Sequence, residues 1–343
     1  MHGKSLFAAI RSGQCPEQIP FVPTIYEHGA ALLGITPSAA ASSDELLAAG
    51  QLKAYQLYRH DLAAVGLDIY NIEVEALGGH IVFPKDASMP FLHKPILAAV
   101  ADWEKLPIPN PDADARMPLM LQAVRTVIKE IGDQVVVSGT VTGPFTLAAL
   151  LRGFEDFVTD LLLDPAAAER LLLFCAEVGA VWARRLVREG AAVAVNESWI
   201  VPPLLSPELY ERCVVPAETA LIKDIRAVGQ ENTALICGGD TAPIVPAMLK
   251  TGTSLVMADH NTDQIVVKGA CREASVFLRG SISPVLLEQG TDAELQGGIR
   301  RVLDQCADYA GFLFGCGIVS YATPPERVLR LKEIVEQLTP EYR

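Results

Sequence analysis

The stretch Ala191-Ala192-Val193-Ala194-Val195-Asn196-Glu197 is an apolar run that ends in polar residues. A run without polar alternation is typical of a strand that is buried on both faces, as in a parallel sheet. Ser206-Pro207-Glu208 follows, with a cap residue and a proline at the first helical position. The sequence here predicts a buried strand, a polar strand end and then a helix.

The same unit recurs along the chain. Eight strand-like runs alternate with helical patterns: Phe21–Ile25, Leu67–Ile72, Val135–Ser138, Ala191–Asn196, Thr233–Cys237, Ser254–Met257, Ser275–Leu278 and Phe312–Cys316. Eight alternations within 343 residues predict an α/β protein, a (β/α)8 TIM barrel with an N-terminal extension. Gly78-Gly79 separates two further apolar runs, so we expect a β-hairpin over Glu75–Phe83 after the second strand. A doubly wound open sheet is the alternative, but it usually has a glycine-rich loop after its first strand, and none is present.

Composition excludes some classes of partner. The formal net charge is −13, which repels phosphate backbones and anionic lipids, so we expect neither nucleic acid nor a membrane as partner. The N-terminal residues lack a signal-peptide core, and the seven cysteines do not look like a disulfide framework. We therefore predict a cytoplasmic protein.

Catalytic residues of such barrels gather where the strands end. Cys237 and Cys316 both end a predicted strand and both border glycine, and Glu197 ends the fourth strand. Two thiolates and one oxygen ligand can hold a catalytic zinc ion with an open fourth position. The alternative is that both cysteines are small buried apolar residues.

Four other strand-end residues are candidates for the site. His28 and His260 could transfer protons or be structural, and Tyr26 and Trp199 could form the wall of a substrate pocket or pack in the core. The sequence alone leaves these alternatives open.

Several motifs resemble the uroporphyrinogen decarboxylase superfamily over nearly the whole chain. They are Thr140–Ala148, which contains Gly-Pro-Phe-Thr, Glu75-Ala76-Leu77-Gly78, and two helix starts, Leu205–Glu208 and Thr323–Glu326. The resemblance implies a (β/α)8 barrel and a single domain spanning residues 1–343.

The decarboxylase itself is a poor match. Its arginine-rich N-terminal signature should fall near Thr24–Leu33, which contains no arginine, and Cys316 replaces its C-terminal histidine. A tetrapyrrole with many carboxylates needs cationic anchors. A decarboxylase-like activity and a non-catalytic tetrapyrrole-binding barrel remain the alternatives.

The Gly315-Cys316-Gly317 variant resembles the corrinoid-dependent methyltransferase branch, typified by methylcobalamin:coenzyme M methyltransferase. That branch holds zinc with His-x-Cys and a second cysteine, which carry over to Cys237 and Cys316. Leu235 occupies the histidine position, and Glu197 is the substitute third ligand. The resemblance implies zinc acting as a Lewis acid and methylcobalamin or cob(I)alamin carried by a partner corrinoid protein. It also implies a small methylated substrate, a methyl ether (O-demethylation) or a thiol, and leaves a homodimer open.

Overall fold

The computed structural model describes residues 1–343 and contains a seven-stranded parallel sheet with strand order β10-β9-β8-β7-β6-β5-β2. Two smaller pairs complete the strands: β1 lies parallel to β11, and β3 lies antiparallel to β4. In chain order the strands are β1 Thr24–Ile25, β2 Leu62–Val65, β3 Ile81–Val82, β4 Phe91–Leu92, β5 Val136–Thr142, β6 Ala192–Glu197, β7 Thr233–Cys237, β8 Leu255–Ala258, β9 Phe277–Ile282, β10 Phe312–Cys316 and β11 Ile318–Val319.

A short segment, Pro20–Val22, closes this sheet into a barrel. On one side Phe314 N–H donates to Pro20 O and Val22 N–H donates to Phe314 O, both at 2.8 Å. On the other side Asp61 N–H donates to Phe21 O at 2.8 Å, and Phe21 N–H donates to the Asp61 carboxylate at 2.8 Å. The segment therefore joins β10 to the residue that precedes β2, and it supplies the eighth position of the predicted barrel.

Sixteen α-helices surround the strands. They are α1 Gly3–Arg11, α2 Glu27–Leu33, α3 Pro37–Ala41, α4 Asp44–Tyr58, α5 Ile72–Ala76, α6 Met117–Ile131, α7 Pro144–Arg152, α8 Phe154–Leu163, α9 Pro165–Arg188, α10 Pro207–Leu209, α11 Val215–Ala227, α12 Val245–Lys250, α13 Gln264–Ala274, α14 Pro284–Gln289, α15 Asp292–Cys306 and α16 Pro325–Leu338. A π-helical turn, Tyr210–Val214, joins α10 to α11, and 3-10 turns cover Val100–Lys105 and Thr339–Glu341. None of these helices has both the length and the apolar character that crossing a bilayer requires.

The N-terminal extension closes one end of the barrel. Phe7 and Ile10 of α1 form a small apolar cluster with Val22, Leu255 and Leu313. Because Leu255 begins β8 and Leu313 lies early in β10, α1 covers the end of the barrel opposite the carboxyl ends of the strands.

The structure confirms the predicted barrel. It gives the third predicted strand as Val136–Thr142 instead of Val135–Ser138 and the seventh as Phe277–Ile282 instead of Ser275–Leu278, and it corrects two further elements. The second strand is Leu62–Val65, not Leu67–Ile72, because the chain turns after Val65 and becomes helical at Ile72. The predicted hairpin over Glu75–Phe83 is also displaced. A hairpin does follow the second strand, but it pairs β3 with β4, and Glu75 belongs to α5.

Glu73 anchors α5 to the end of β5. Its carboxylate is buried and accepts the backbone N–H and the hydroxyl of Thr142, both at 2.7 Å. Burial raises the pKa of Glu73 to about 7, although the hydrogen bonds from Thr142 act in the opposite direction. The ionised carboxylate is therefore costly at this position.

We predict that Glu73→Gln makes stability less dependent on pH. The folded protein holds the Glu73 proton up to about pH 7, whereas the unfolded chain releases it near its ordinary pKa of 4.5. The free energy of unfolding should therefore fall as pH rises through this window, by up to about 3 kcal/mol from this one group. Glutamine keeps both contacts, because its carbonyl can accept the Thr142 N–H and its amide can donate to the hydroxyl.

Urea unfolding from pH 5 to pH 8 measures this effect. Glu73→Gln should show a shallower slope and should equal or exceed the wild type in stability at pH 8. Glu73→Ala is the control: it leaves a buried N–H unpaired and should lose about 1–3 kcal/mol. A Glu73→Gln slope as steep as that of the wild type would contradict this account of Glu73.

Candidate functional site

A cavity of about 470 Å³ extends through the barrel, a volume within the range of small-molecule sites. Its wall near α1 is mainly apolar and includes Phe7, Phe277 and Leu313, together with Arg11. Its wall at the carboxyl ends of the strands is aromatic and polar, and includes Tyr26, Tyr70, Asn196, Glu197, Ser198, Trp199, Asp259, His260 and Arg279. We call this second end the mouth.

Glu197 ends β6, and its carboxylate caps the start of α7. It accepts the N–H of Phe145 at 3.0 Å, the N–H of Thr146 at 2.9 Å and the hydroxyl of Thr146 at 2.6 Å. Gly143 makes room for this contact, because a Cβ there would lie 2.1 Å from the carboxylate carbon of Glu197. Burial raises the pKa of Glu197 to about 7, and the hydrogen bonds from Thr146 and Phe145 lower it.

The two candidate cysteines lie beside the cavity rather than on its wall. Cys237 is the register partner of Glu197 on the neighbouring strand, and its thiol donates to Gly238 O at 3.3 Å. Cys316 is fully buried on β10, three strands further along the sheet from β7. At both positions the following glycine, Gly238 or Gly317, lines the cavity instead. Burial raises the pKa of both thiols, that of Cys316 to about 11.

These placements do not fit a zinc ion held jointly by Glu197, Cys237 and Cys316. No three histidine, cysteine, aspartate or glutamate side chains of the chain are grouped so as to hold a metal ion. Both oxygens of Glu197 already accept hydrogen bonds from the start of α7. Zinc binding remains a prediction from the resemblance, and the proposed mechanism does not require it.

The two candidate histidines lie in different surroundings. His260 lines the mouth, and its Nδ1 lies 2.7 Å from a carboxylate oxygen of Asp259. Because a carboxylate only accepts, Nδ1 carries the hydrogen and Nε2 is left for a ligand. His28 is fully buried away from the cavity: its Nε2 lies 2.7 Å from Tyr58 Oη, and its Nδ1 lies 3.2 Å from Ser320 O.

Tyr26 and Trp199 both form part of the wall at the mouth. Burial raises the pKa of Tyr26 to about 12, against the opposing effect of nearby Arg279. Trp199 has a φ of +60°, a left-handed conformation that is strained for tryptophan, and its ring packs against Phe154 with ring centroids 5.7 Å apart. Such strain, of about 1–3 kcal/mol, is found most often at functional sites.

Two residues of the wall, Tyr70 and Arg279, were given no role by the sequence. Tyr70 follows the second strand at a position with no distinguishing pattern. Arg279 is the only charged residue in the strand Phe277–Ile282, and an isolated charge in such a strand is a sequence signal for a functional residue.

Residues 2–338 match the family model described as uroporphyrinogen decarboxylase (URO-D). The chain belongs to this family. It is 27% identical over 220 residues to the methylcobamide:CoM methyltransferase MtbA of Methanosarcina mazei, a match that covers 64% of this chain and 63% of that relative. It is also 26% identical over 291 residues to the uroporphyrinogen decarboxylase of Trichlorobacter lovleyi, covering 80% and 82% of the two chains.

A solved structure described as a methyltransferase from Methanosarcina mazei has the same fold. The TM-score is 0.86, and the alignment covers 98% of this chain and 99% of that chain at 21% identity. At this identity the similarity establishes the (β/α)8 architecture of the chain and no more.

Metal analysis tests the zinc prediction. If Glu197, Cys237 and Cys316 gather around zinc, protein purified without chelators should carry about one zinc ion per chain. Cys237→Ser and Cys316→Ser should each lose the metal, whereas Cys271→Ser, at a buried cysteine on α13, should retain it. If the purified protein lacks stoichiometric zinc, or if all variants contain equal zinc, the prediction that Glu197, Cys237 and Cys316 bind zinc is wrong.

Proposed function

We propose that the chain is a corrinoid-dependent methyltransferase. A small methylated substrate binds in the cavity, and the methyl group moves between that substrate and the cobalt of a corrinoid that a partner protein presents at the mouth. The relatives named methylcobamide:CoM methyltransferase support this reaction. We also propose that residues 1–343 act as one domain, because a single apolar core joins residues from Ile19 to Leu338.

The observation that carries the proposal is the composition of the cavity wall. Among its lining residues the only lysine or arginine side chains are Arg11, at the end near α1, and Arg279 at the mouth. Most of the lining is apolar. A site for a tetrapyrrole with many carboxylates needs several cations, so this wall favours a small substrate over the decarboxylase substrate.

The residues at the mouth have distinct roles in this proposal. A reduced corrinoid presented at the mouth would supply the cobalt nucleophile for the methyl group. Tyr26 and Trp199 hold the substrate and exclude water. As the bond between the methyl carbon and oxygen or sulfur breaks, the electron pair stays on the leaving oxygen or sulfur, and Nε2 of protonated His260 donates a proton to it. In the reverse direction the same nitrogen accepts the proton from a thiol, and Asp259 keeps the ring oriented through Nδ1.

The methyl transfer itself can be measured by absorbance. The chain is mixed with a corrinoid carrier protein reduced to cob(I)alamin and with a panel of methyl ethers and methyl thioethers. We expect the cob(I)alamin bands to be replaced by those of methylcobalamin with at least one donor, at a rate proportional to the concentration of the chain. Carbon dioxide release from uroporphyrinogen, without methyl transfer from any donor, would instead support the decarboxylase alternative.

We predict that His260→Gln slows methyl transfer by about 100-fold while substrate binding changes little, because general acid catalysis contributes on the order of 10²–10⁴-fold. His80→Gln is the control, since His80 is exposed and does not line the cavity. Stopped-flow rates at saturating substrate measure the effect. A His260→Gln variant as fast as the His80→Gln control would rule out the proposed role of His260.

A further inference from the structure

Arg279 lies in β9 with its side chain on the cavity wall. Its Nη2 donates to Met257 Sδ and to the backbone oxygen of Cys316, both at 3.0 Å. Its Nε is buried without a partner against Gly315, where a Cβ would lie 3.1 Å from that nitrogen. Its Nη1 makes no hydrogen bond within the chain. The guanidinium is thus held in place on one side and has unused donors on the other.

No carboxylate of the chain forms an ion pair with Arg279. The cavity wall contains two acidic residues, Glu197 and Asp259. Glu197 accepts hydrogen bonds at the start of α7 with both oxygens. Asp259 accepts the N–H of Gly239 at 2.8 Å with one oxygen, and the other oxygen accepts from the ring and the backbone of His260, each at 2.7 Å. The two anions nearest the cavity are therefore committed to other partners.

Arg279 is half-buried, with its Nε fully shielded from solvent, and a charge that is largely removed from water without a counter-ion is unfavourable. Burial lowers the pKa of Arg279, while nearby Cys316, Tyr26 and Asp259 raise it, and a guanidinium stays protonated at neutral pH in any case. The chain therefore keeps a permanent cation facing a mainly apolar cavity. A bound anion would provide the missing partner.

The neighbouring Tyr26 hydroxyl is a second unused donor. It makes no hydrogen bond within the chain, and it lies close enough to Arg279 for the two side chains to influence each other's pKa. The free Nη1 of the guanidinium and the Tyr26 hydroxyl match a group with two oxygens and a single negative charge. The apolar remainder of the wall matches an uncharged molecular body.

We propose that the cavity binds a small carboxylic acid, with its carboxylate on Arg279 and Tyr26 and its apolar body against the other walls. This inference rests on the proposed function in one respect: the carboxylic acid is also the molecule that exchanges the methyl group. Binding of the carboxylate itself is independent of methyl transfer.

Isothermal titration calorimetry without any corrinoid tests the binding. The probes are 4-methoxybenzoate and 4-methoxybenzamide, which have nearly the same shape and differ in charge. We expect the wild type to bind the benzoate at least about 10-fold more tightly than the amide, because hydrogen bonds to charged groups are the stronger ones. Equal affinity for the two probes, or no binding of the benzoate, would overturn the proposal without any mutation.

Variants then show which arginine causes the preference for the benzoate over the amide. Arg279→Gln should lose the preference for the benzoate, and Arg279→Lys should retain part of it. Arg11→Gln is the matched control, because Arg11 lines the same cavity at its other end and should keep the full preference. A folded Arg279→Gln protein that still prefers the benzoate as strongly as the Arg11→Gln control would also overturn the proposal.

Two outcomes separate this inference from the proposed function. Tight, Arg279-dependent binding of carboxylates with no methyl transfer from any donor would sustain the inference and contradict the methyltransferase. Methyl transfer at equal efficiency from the benzoate and the amide would sustain the methyltransferase and contradict the inference.

Discussion

The closure of the sheet by Pro20–Val22 is the constraint on which the rest of the structure depends. This segment bonds to Phe314 on one side and to Asp61 on the other, so the first and last strands of the sheet meet. Because the strands are parallel, closure brings all their carboxyl ends to one mouth. It also fixes Tyr26, which follows directly after β1, at the edge of the cavity.

The segment Thr142–Thr146 donates hydrogen bonds to two buried carboxylates near that mouth. Thr142 binds Glu73 from the second βα unit, and residues 145 and 146 bind Glu197 from the fourth. Gly143 and the following helix start are required because the carboxylate of Glu197 occupies the space where a side chain would be. Both oxygens of Glu197 accept hydrogen bonds, whereas Arg279 forms no ion pair and still has unused donors. Arg279 is therefore the group on this wall that can still bind an anion.

An apolar run predicted a strand correctly where the run does form a strand of the sheet. The prediction was wrong where a run of buried apolar residues belongs to a turn or a helix instead. Thr233–Cys237 and Phe312–Cys316 have the predicted bounds. Leu67 and Ile72 are equally apolar and buried, but they pack from a turn and a helix, which an apolar run alone does not distinguish. The strand-end residues were placed near the mouth, but the direction of each side chain depends on partners far away in sequence. His28, for example, bonds to Ser320, 292 residues further along the chain.

We propose that the mouth of this barrel binds a small substrate, with Arg279 as its charged anchor. A crystal structure of the chain with 4-methoxybenzoate tests it most directly. We expect ligand density inside the barrel, with the carboxylate on Arg279 and Tyr26 and with Trp199 beside the ring. Density only at the opposite face of the barrel, in the polar cavity lined by His60 and Arg343, would contradict it.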